Sequence, residues 1–148
     1  MADFAFNRRA YFDYEILEKF EAGIMLLGFE VKAVKSGRIN LLGSYVVFKN
    51  CEPYLLNADI SPYQPLNTPK DYDSKRSRKL LLKKSEIKYL FGKKESAGLT
   101  LIPLRIYNKR NKIKVEIALA RGKKQYEKRE KIIKRETKRK IERAIKNY

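Results

Sequence analysis

The 148-residue sequence predicts a mainly β domain with flanking helices, followed by a basic C-terminal tail. Three observations predict it. Apolar and polar residues alternate over several short segments, as they do in half-buried strands. Short polar turns join successive strand-like segments, which argues for antiparallel pairing, and too few helical segments intervene for a parallel α/β sheet. The net charge is +18 and unevenly spread: residues 1–120 carry 22 Lys and Arg against 13 Asp and Glu, residues 121–148 carry 13 against 4, and each part nets +9. The chain therefore divides into a body over 1–121 and a basic tail over 122–148.

From Tyr14 to Leu26 the even positions read Tyr14, Ile16, Glu18, Phe20, Ala22, Ile24 and Leu26, and the odd ones begin Glu15, Leu17, Lys19 and Glu21, which fits a half-buried strand more than a helix, broken by Gly28. "FEVKAVKSG" spaces Val31 and Val34 three apart and predicts a short helix closed by Gly37. "SYVVFKNCEPYLLNADI" predicts a hairpin, with strands at Tyr45–Phe48 and Tyr54–Leu56 around a turn over Asn50–Pro53. The proline-rich "SPYQPLNTPKDYD" predicts a loop. A helix is expected from an N-cap at Ser74 to Gly92, with Leu80, Leu81, Ile87, Leu90 and Phe91 on its apolar side and Arg76, Arg78, Lys79, Lys83, Lys84 and Lys88 exposed.

Two strong strands follow. "TLIPLRIY" alternates Thr100, Ile102, Leu104 and Ile106 on one face, with a bulge or edge expected at Pro103. "KIKVEIALA" turns Ile113, Val115, Ile117 and Leu119 inward, and "NKRN" predicts a four-residue turn between the pair. At least five short strands hide their edges most simply in a small barrel, and an OB-fold-like β-barrel is the expected type.

The residues exclude much chemistry. There is no histidine, the commonest general base near neutral pH, and the single Cys51 rules out zinc sites of the Cys/His kind. G-x-x-x-x-G-K-[ST], G-x-G-x-x-G and G-x-S-x-G are all absent. No catalytic residue, metal or cofactor is expected, and a binding protein is favoured over an enzyme. No apolar run approaches the roughly 18 residues of a membrane span. The N-terminus lacks the apolar core of a signal peptide, and a lone cysteine suits a reducing compartment, so a cytoplasmic location is expected. The excess positive charge favours a polyanionic partner such as nucleic acid. A structural ribosomal protein with a basic extension would share these traits.

The tail has few apolar residues, and their spacing predicts no sustained stripe, so self-burial cannot offset its ordering entropy. All four of its glutamates nevertheless have a lysine four residues on, from Glu127–Lys131 to Glu142–Lys146, each pair adding about 0.2–0.5 kcal/mol to a helix. The tail is helix-capable, marginal when free, and about 40 Å long when helical.

The blocks "YEILEKFEAGIMLLGFEVKAVKSGRINL", "SYVVFKNCEPYLLNADISPY", "RKLLLKKSEIKYLFGK", "GLTLIPLRIY" and "KVEIALARGKKQYEKRE" resemble, in order and over nearly the whole chain, the small protein B or SsrA-binding protein family of bacteria. The resemblance implies an OB-like body that binds the tRNA-like domain of transfer-messenger RNA (tmRNA). It also implies a tail that is disordered in isolation and becomes helical on binding. The complex would enter stalled ribosomes, with the body at the decoding centre and the tail in the vacant mRNA channel, enabling peptide tagging without covalent chemistry by the protein. Elongation factor Tu and alanyl-tRNA synthetase would be indirect partners through tmRNA, and no membrane is involved.

By the same resemblance, Glu30 and Lys32 in "GFEVK" match an RNA-facing helix. Two readings of Glu30 stand open: a salt bridge to Lys32 or Lys35, or acceptance of amino donors from a base edge. Lys32, Lys35 and Arg38 would hold phosphates, and the basic segment over 76–88, with Arg78 and Lys79, is either a further phosphate surface or a solubilised face. Gly122, Lys123, Lys124, Tyr126, Glu127, Lys128 and Arg129 match the start of the family's tail, with Tyr126 placed to stack on a ribosomal base. Glu127 stands where aspartate is usual, and Tyr126 where some members have histidine.

Overall fold

The alternating segments become strands that bury their apolar sides in a shared core. The computed structural model describes residues 3–95, 98–123 and 125–146. Its elements run β1 (Asp3–Phe6), α1 (Arg8–Asp13), β2 (Tyr14–Ile24), α2 (Gly28–Lys35), β3 (Ile39–Asn40), β4 (Tyr45–Lys49), β5 (Glu52–Leu56), β6 (Asp59–Ile60), β7 (Arg78–Leu81), α3 (Lys84–Lys94), β8 (Leu99–Lys109), β9 (Lys112–Gly122) and α4 (Gln125–Lys146).

The main sheet has seven antiparallel strands in the order β1-β8-β4-β5-β7-β2-β9, and β8 also pairs with β9. Because β8 bonds to both β4 and β9, strands β8, β4, β5, β7, β2 and β9 close on themselves, and β1 lies outside the ring on β8. The ring is a small, partly open barrel, since β4 meets β8 only at Val46 and Leu101. Val46, Leu55, Leu80, Leu101, Ile106, Val115 and Ile117 fill the interior, joined by Val34 from α2 and Leu90 from α3.

Both hairpins are tighter than the expected four-residue turns. The strands run on to Lys49 and Lys109, leaving two-residue turns with positive φ at Asn50 (52°) and Cys51 (63°), and at Arg110 (52°) and Asn111 (61°). Two successive left-handed residues match the right-handed twist of the flanking strands.

The bulge expected at Pro103 is present, as a register shift between Pro103 and Arg105. It corrects the expected face of β8. The extra residue reverses the alternation, so Leu101 and Ile106 face the barrel interior while Ile102 and Leu104 join a second cluster with Ala10, Ala118 and Ala120 under α1.

The helix expected from Ser74 to Gly92 is two elements. Arg78–Leu81 is strand β7, which pairs with β5 through Tyr54 and Leu55 and with β2 through Gly23 and Ile24. Without it β5 and β2 would not meet, so the tertiary demand for closure overrides the helix propensity of a short Lys/Leu run. Helix α3 starts nine residues later than expected, with Lys83 rather than Ser74 as its N-cap, where the Glu86 Oε1 atom accepts the Lys83 backbone N–H at 3.2 Å, and it passes through Gly92 to Lys94.

The tail forms α4. On a 3.6-residue period Ile133, Ile141, Ala144 and Ile145 fall within about a third of its circumference, but Glu130, Lys134 and Thr137 share that side, so the apolar residues form no sustained stripe. Ile132 lies off that side.

Candidate nucleic-acid interface

Helix α2 follows β2 across the end of the barrel, and its first turn places Glu30 inward. The Glu30 side chain is fully buried. Its Oε1 accepts the Leu27 backbone N–H at 2.8 Å and a hydrogen bond from Arg76 Nη2. Its Oε2 accepts from Tyr72 Oη at 2.8 Å, Arg76 Nε at 3.2 Å, and Arg78 Nε and Nη2 at 2.9 and 2.6 Å. Arg78 is also fully buried, and it further donates to the carbonyls of Ala58 at 2.7 Å and Ser74 at 2.9 Å. The two guanidiniums and one carboxylate thus tie α2 to β7 and to the proline-rich loop.

Burial alone would raise the Glu30 pKa, but the hydrogen bonds from Arg76, the Leu27 amide, Arg78 and Tyr72 outweigh it and bring it down to about 2. Burial and the adjacent Glu30 carboxylate push Tyr72 up to about 12. The carboxylate therefore stays ionised and the phenol protonated across the neutral range.

This geometry corrects two expectations. Glu30 does not face solvent as a base reader, nor does it pair with Lys32 or Lys35: its acceptor capacity is spent within the fold. Arg78 offers nothing to a phosphate, because its guanidinium is enclosed with Glu30. The error had one source. A helix over 74–92 would expose Arg76 and Arg78, whereas the true strand turns Arg78 inward beside the helix that carries Glu30. Sequence reasoning also missed Tyr72 and Arg76 as partners; an acidic residue in a helix first turn, open to capping, was the available signal.

The remaining cations divide by environment. Lys32 and Lys35 are exposed on α2, with no ion pair among the described residues. Arg38 is exposed just beyond α2, where its Nη1 donates to the Pro62 carbonyl at 3.1 Å and its guanidinium lies 5.8 Å from the centroid of the Tyr63 ring. Lys79 is half-buried and pairs with Glu52 at 3.1 Å, so a phosphate would have to compete with a carboxylate. Lys83, Lys84 and Lys88 are exposed at and beside α3.

At the body–tail junction, Gly122 is the last residue of β9 and pairs with Tyr14, so it belongs structurally with the body. Lys123 is tied to α1 twice: its backbone N–H donates to the Asp13 carbonyl at 2.9 Å and its Nζ to the Tyr11 carbonyl at 3.0 Å. Lys128 pairs with Asp13 at 3.3 Å, and Arg129 is exposed. Lys124 and the side chains of Tyr126 and Glu127 lie outside the described residues.

Exposed cations on α2, on α3 and along α4 give the molecule several positively charged surfaces around the barrel. The SmpB protein family matches residues 4–147. The chain belongs to the SmpB family. It is 52% identical over 142 residues to the SsrA-binding protein of Trichodesmium erythraeum (strain IMS101), covering 96% of this chain and 91% of that protein. It is 52% identical over 139 residues to the SsrA-binding protein of Carboxydothermus hydrogenoformans, covering 94% and 93%. Among solved structures, it resembles a chain from "tmRNA-SmpB: a journey to the center of the bacterial ribosome", with a TM-score of 0.67, 49% identity, and coverage of 82% of this chain and 85% of that one.

Proposed function

We propose that this protein binds the tRNA-like domain of tmRNA and acts with it in trans-translation, as a non-enzymatic cytoplasmic factor. The observation that carries this is the 49% identity, at a TM-score of 0.67, to the SmpB chain described with tmRNA at the ribosome. In this reading the body presents Lys32, Lys35 and Arg38 to the RNA backbone. Such contacts release counterions and set affinity, while sequence and shape preference come from groups that touch bases. The Glu30 cluster acts one step back: it fixes α2 and the proline-rich loop so that these cations stand in one arrangement before RNA arrives.

The tail is proposed to enter the vacant mRNA channel of a stalled ribosome as a helix. Its glutamate–lysine spacing favours a helix, and ribosomal phosphates would neutralise the charge that otherwise opposes it. Lys123, tied to Asp13 and Tyr11, would set the direction in which the arm leaves the body. Elongation factor Tu and alanyl-tRNA synthetase would be met through tmRNA.

The test is competitive binding near physiological salt, with the tRNA-like domain of tmRNA set against bulk tRNA. A clear preference for the tmRNA fragment is expected. Equal competition would overturn this function in favour of general RNA binding by a ribosomal protein.

A further inference from the structure

On the outer side of α2, away from Glu30, a cleft of about 420 Å³ opens between the helix and the proline-rich loop. That volume is in the range of small-ligand sites. Phe29 and Lys32 line one wall, Tyr63, Gln64 and Asn67 the other, with Gly28 at the end. The walls are held from behind. Tyr72 donates to Glu30, and its ring meets the Phe29 ring edge-on, with centroids 4.8 Å apart and planes at 85°. A short 3₁₀ turn at Pro65–Asn67 is closed by Thr68 Oγ1 donating to the Gln64 carbonyl at 2.8 Å.

The chemistry of the walls is specific. Tyr63 is 38% exposed, with the Arg38 guanidinium against its ring. An exposed tyrosine in contact with a cation is a ready stacking platform for a base. Asn67 Nδ2 donates to Gln64 Oε1 at 2.8 Å, which leaves Gln64 Nε2 and Asn67 Oδ1 without a hydrogen bond among the described residues. One free amide donor and one free amide acceptor side by side complement the adjacent acceptor and donor on a Watson–Crick edge. Lys32 supplies an unpaired cation at the rim. A Cβ at Gly28 would meet no atom within 4 Å, so the chain's own packing does not demand the glycine, and its backbone stands open to the cleft.

We propose that this cleft is a subsite for one unpaired nucleotide of the bound RNA, its base stacked on Tyr63, its edge bonded by Gln64 and Asn67, and its phosphate held by Lys32. The proposal rests on the RNA-binding function above and names the groups that would read a base there, a task that buried Glu30 cannot perform.

The experiment measures affinity for the in-vitro transcribed tRNA-like domain of tmRNA at several salt concentrations, using the full chain. Tyr63→Ala is expected to weaken binding about five-fold or more with an unchanged salt slope, because stacking releases no counterions. Asn67→Ala should also weaken binding at constant slope, while Lys32→Ala should lower the slope. Thermal melts confirm that each variant folds; both Tyr63 and Asn67 are on the surface, and either one alone suffices as the probe. Tyr63→Ala and Asn67→Ala both within two-fold of wild type would overturn the subsite, as would a loss that disappears at high salt. If the wild type shows no preference for this fragment over bulk tRNA, the functional reading fails separately. The subsite is then judged on single-stranded RNA of mixed sequence: the same loss keeps it, and no loss removes it.

Discussion

Replacing Glu30 by glutamine tests the interior of the site directly. Glutamine keeps the shape but removes the charge that two guanidiniums share, one of them fully buried. Breaking one partner out of a buried ion pair costs about 3–5 kcal/mol, because the remaining charge is stranded. A second route gives a similar figure: lowering a carboxyl from 4.5 to about 2 corresponds to about 3 kcal/mol of native-state stabilisation. With a urea m-value of about 1–2 kcal/mol/M, a loss of about 3 kcal/mol should lower the midpoint by about 1.5–3 M at pH 7, and a larger loss by more. The pH dependence has a fixed sign. The folded pKa lies below the unfolded one, so the stabilisation is complete above pH 4.5 and drains as the pH falls towards 2. Urea titrations of wild type and Glu30→Gln at pH 7, 4.5 and 3 should therefore show a gap that narrows with acidity. A gap under about 1 kcal/mol at pH 7, or one that does not narrow, would falsify the account of Glu30 as a saturated internal carboxylate.

Three further outcomes are expected. Lys32→Ala should lower the slope of log K against log salt for tmRNA-fragment binding by about 0.7–0.9, the mark of one lost phosphate contact; an unchanged slope would remove Lys32 from the interface. Cys51→Gly should stabilise the β4–β5 hairpin by about 0.5–1 kcal/mol in urea unfolding, because relief at φ 63° outweighs the added unfolded-chain entropy, and a loss of stability would contradict that. Truncation after Lys123 should leave the body folded and its tmRNA binding largely intact while abolishing tagging on stalled ribosomes; loss of tmRNA binding in the truncated protein would refute the division of labour between body and arm.

The β class, the paired strands β8 and β9, the bulge at Pro103, the helix ended by Gly37 and the concentration of charge in the last 28 residues were all legible in the residues alone. These are local properties: alternation, ring constraints on proline, glycine's tolerance of positive φ, and composition. The family, too, was legible in ordered blocks of residues. The features that emerge only when distant segments meet share one physical cause. "RKLL" is a strand because a barrel needs β7 to join β5 to β2, and nothing within four residues records that need. Once β7 is a strand, Arg78 turns inward and Glu30 finds its partners 46 and 48 residues away rather than one helical turn away. Charge at a residue is written in the sequence; whether that charge meets water, phosphate or a buried counter-ion is set by which distant segment folds against it.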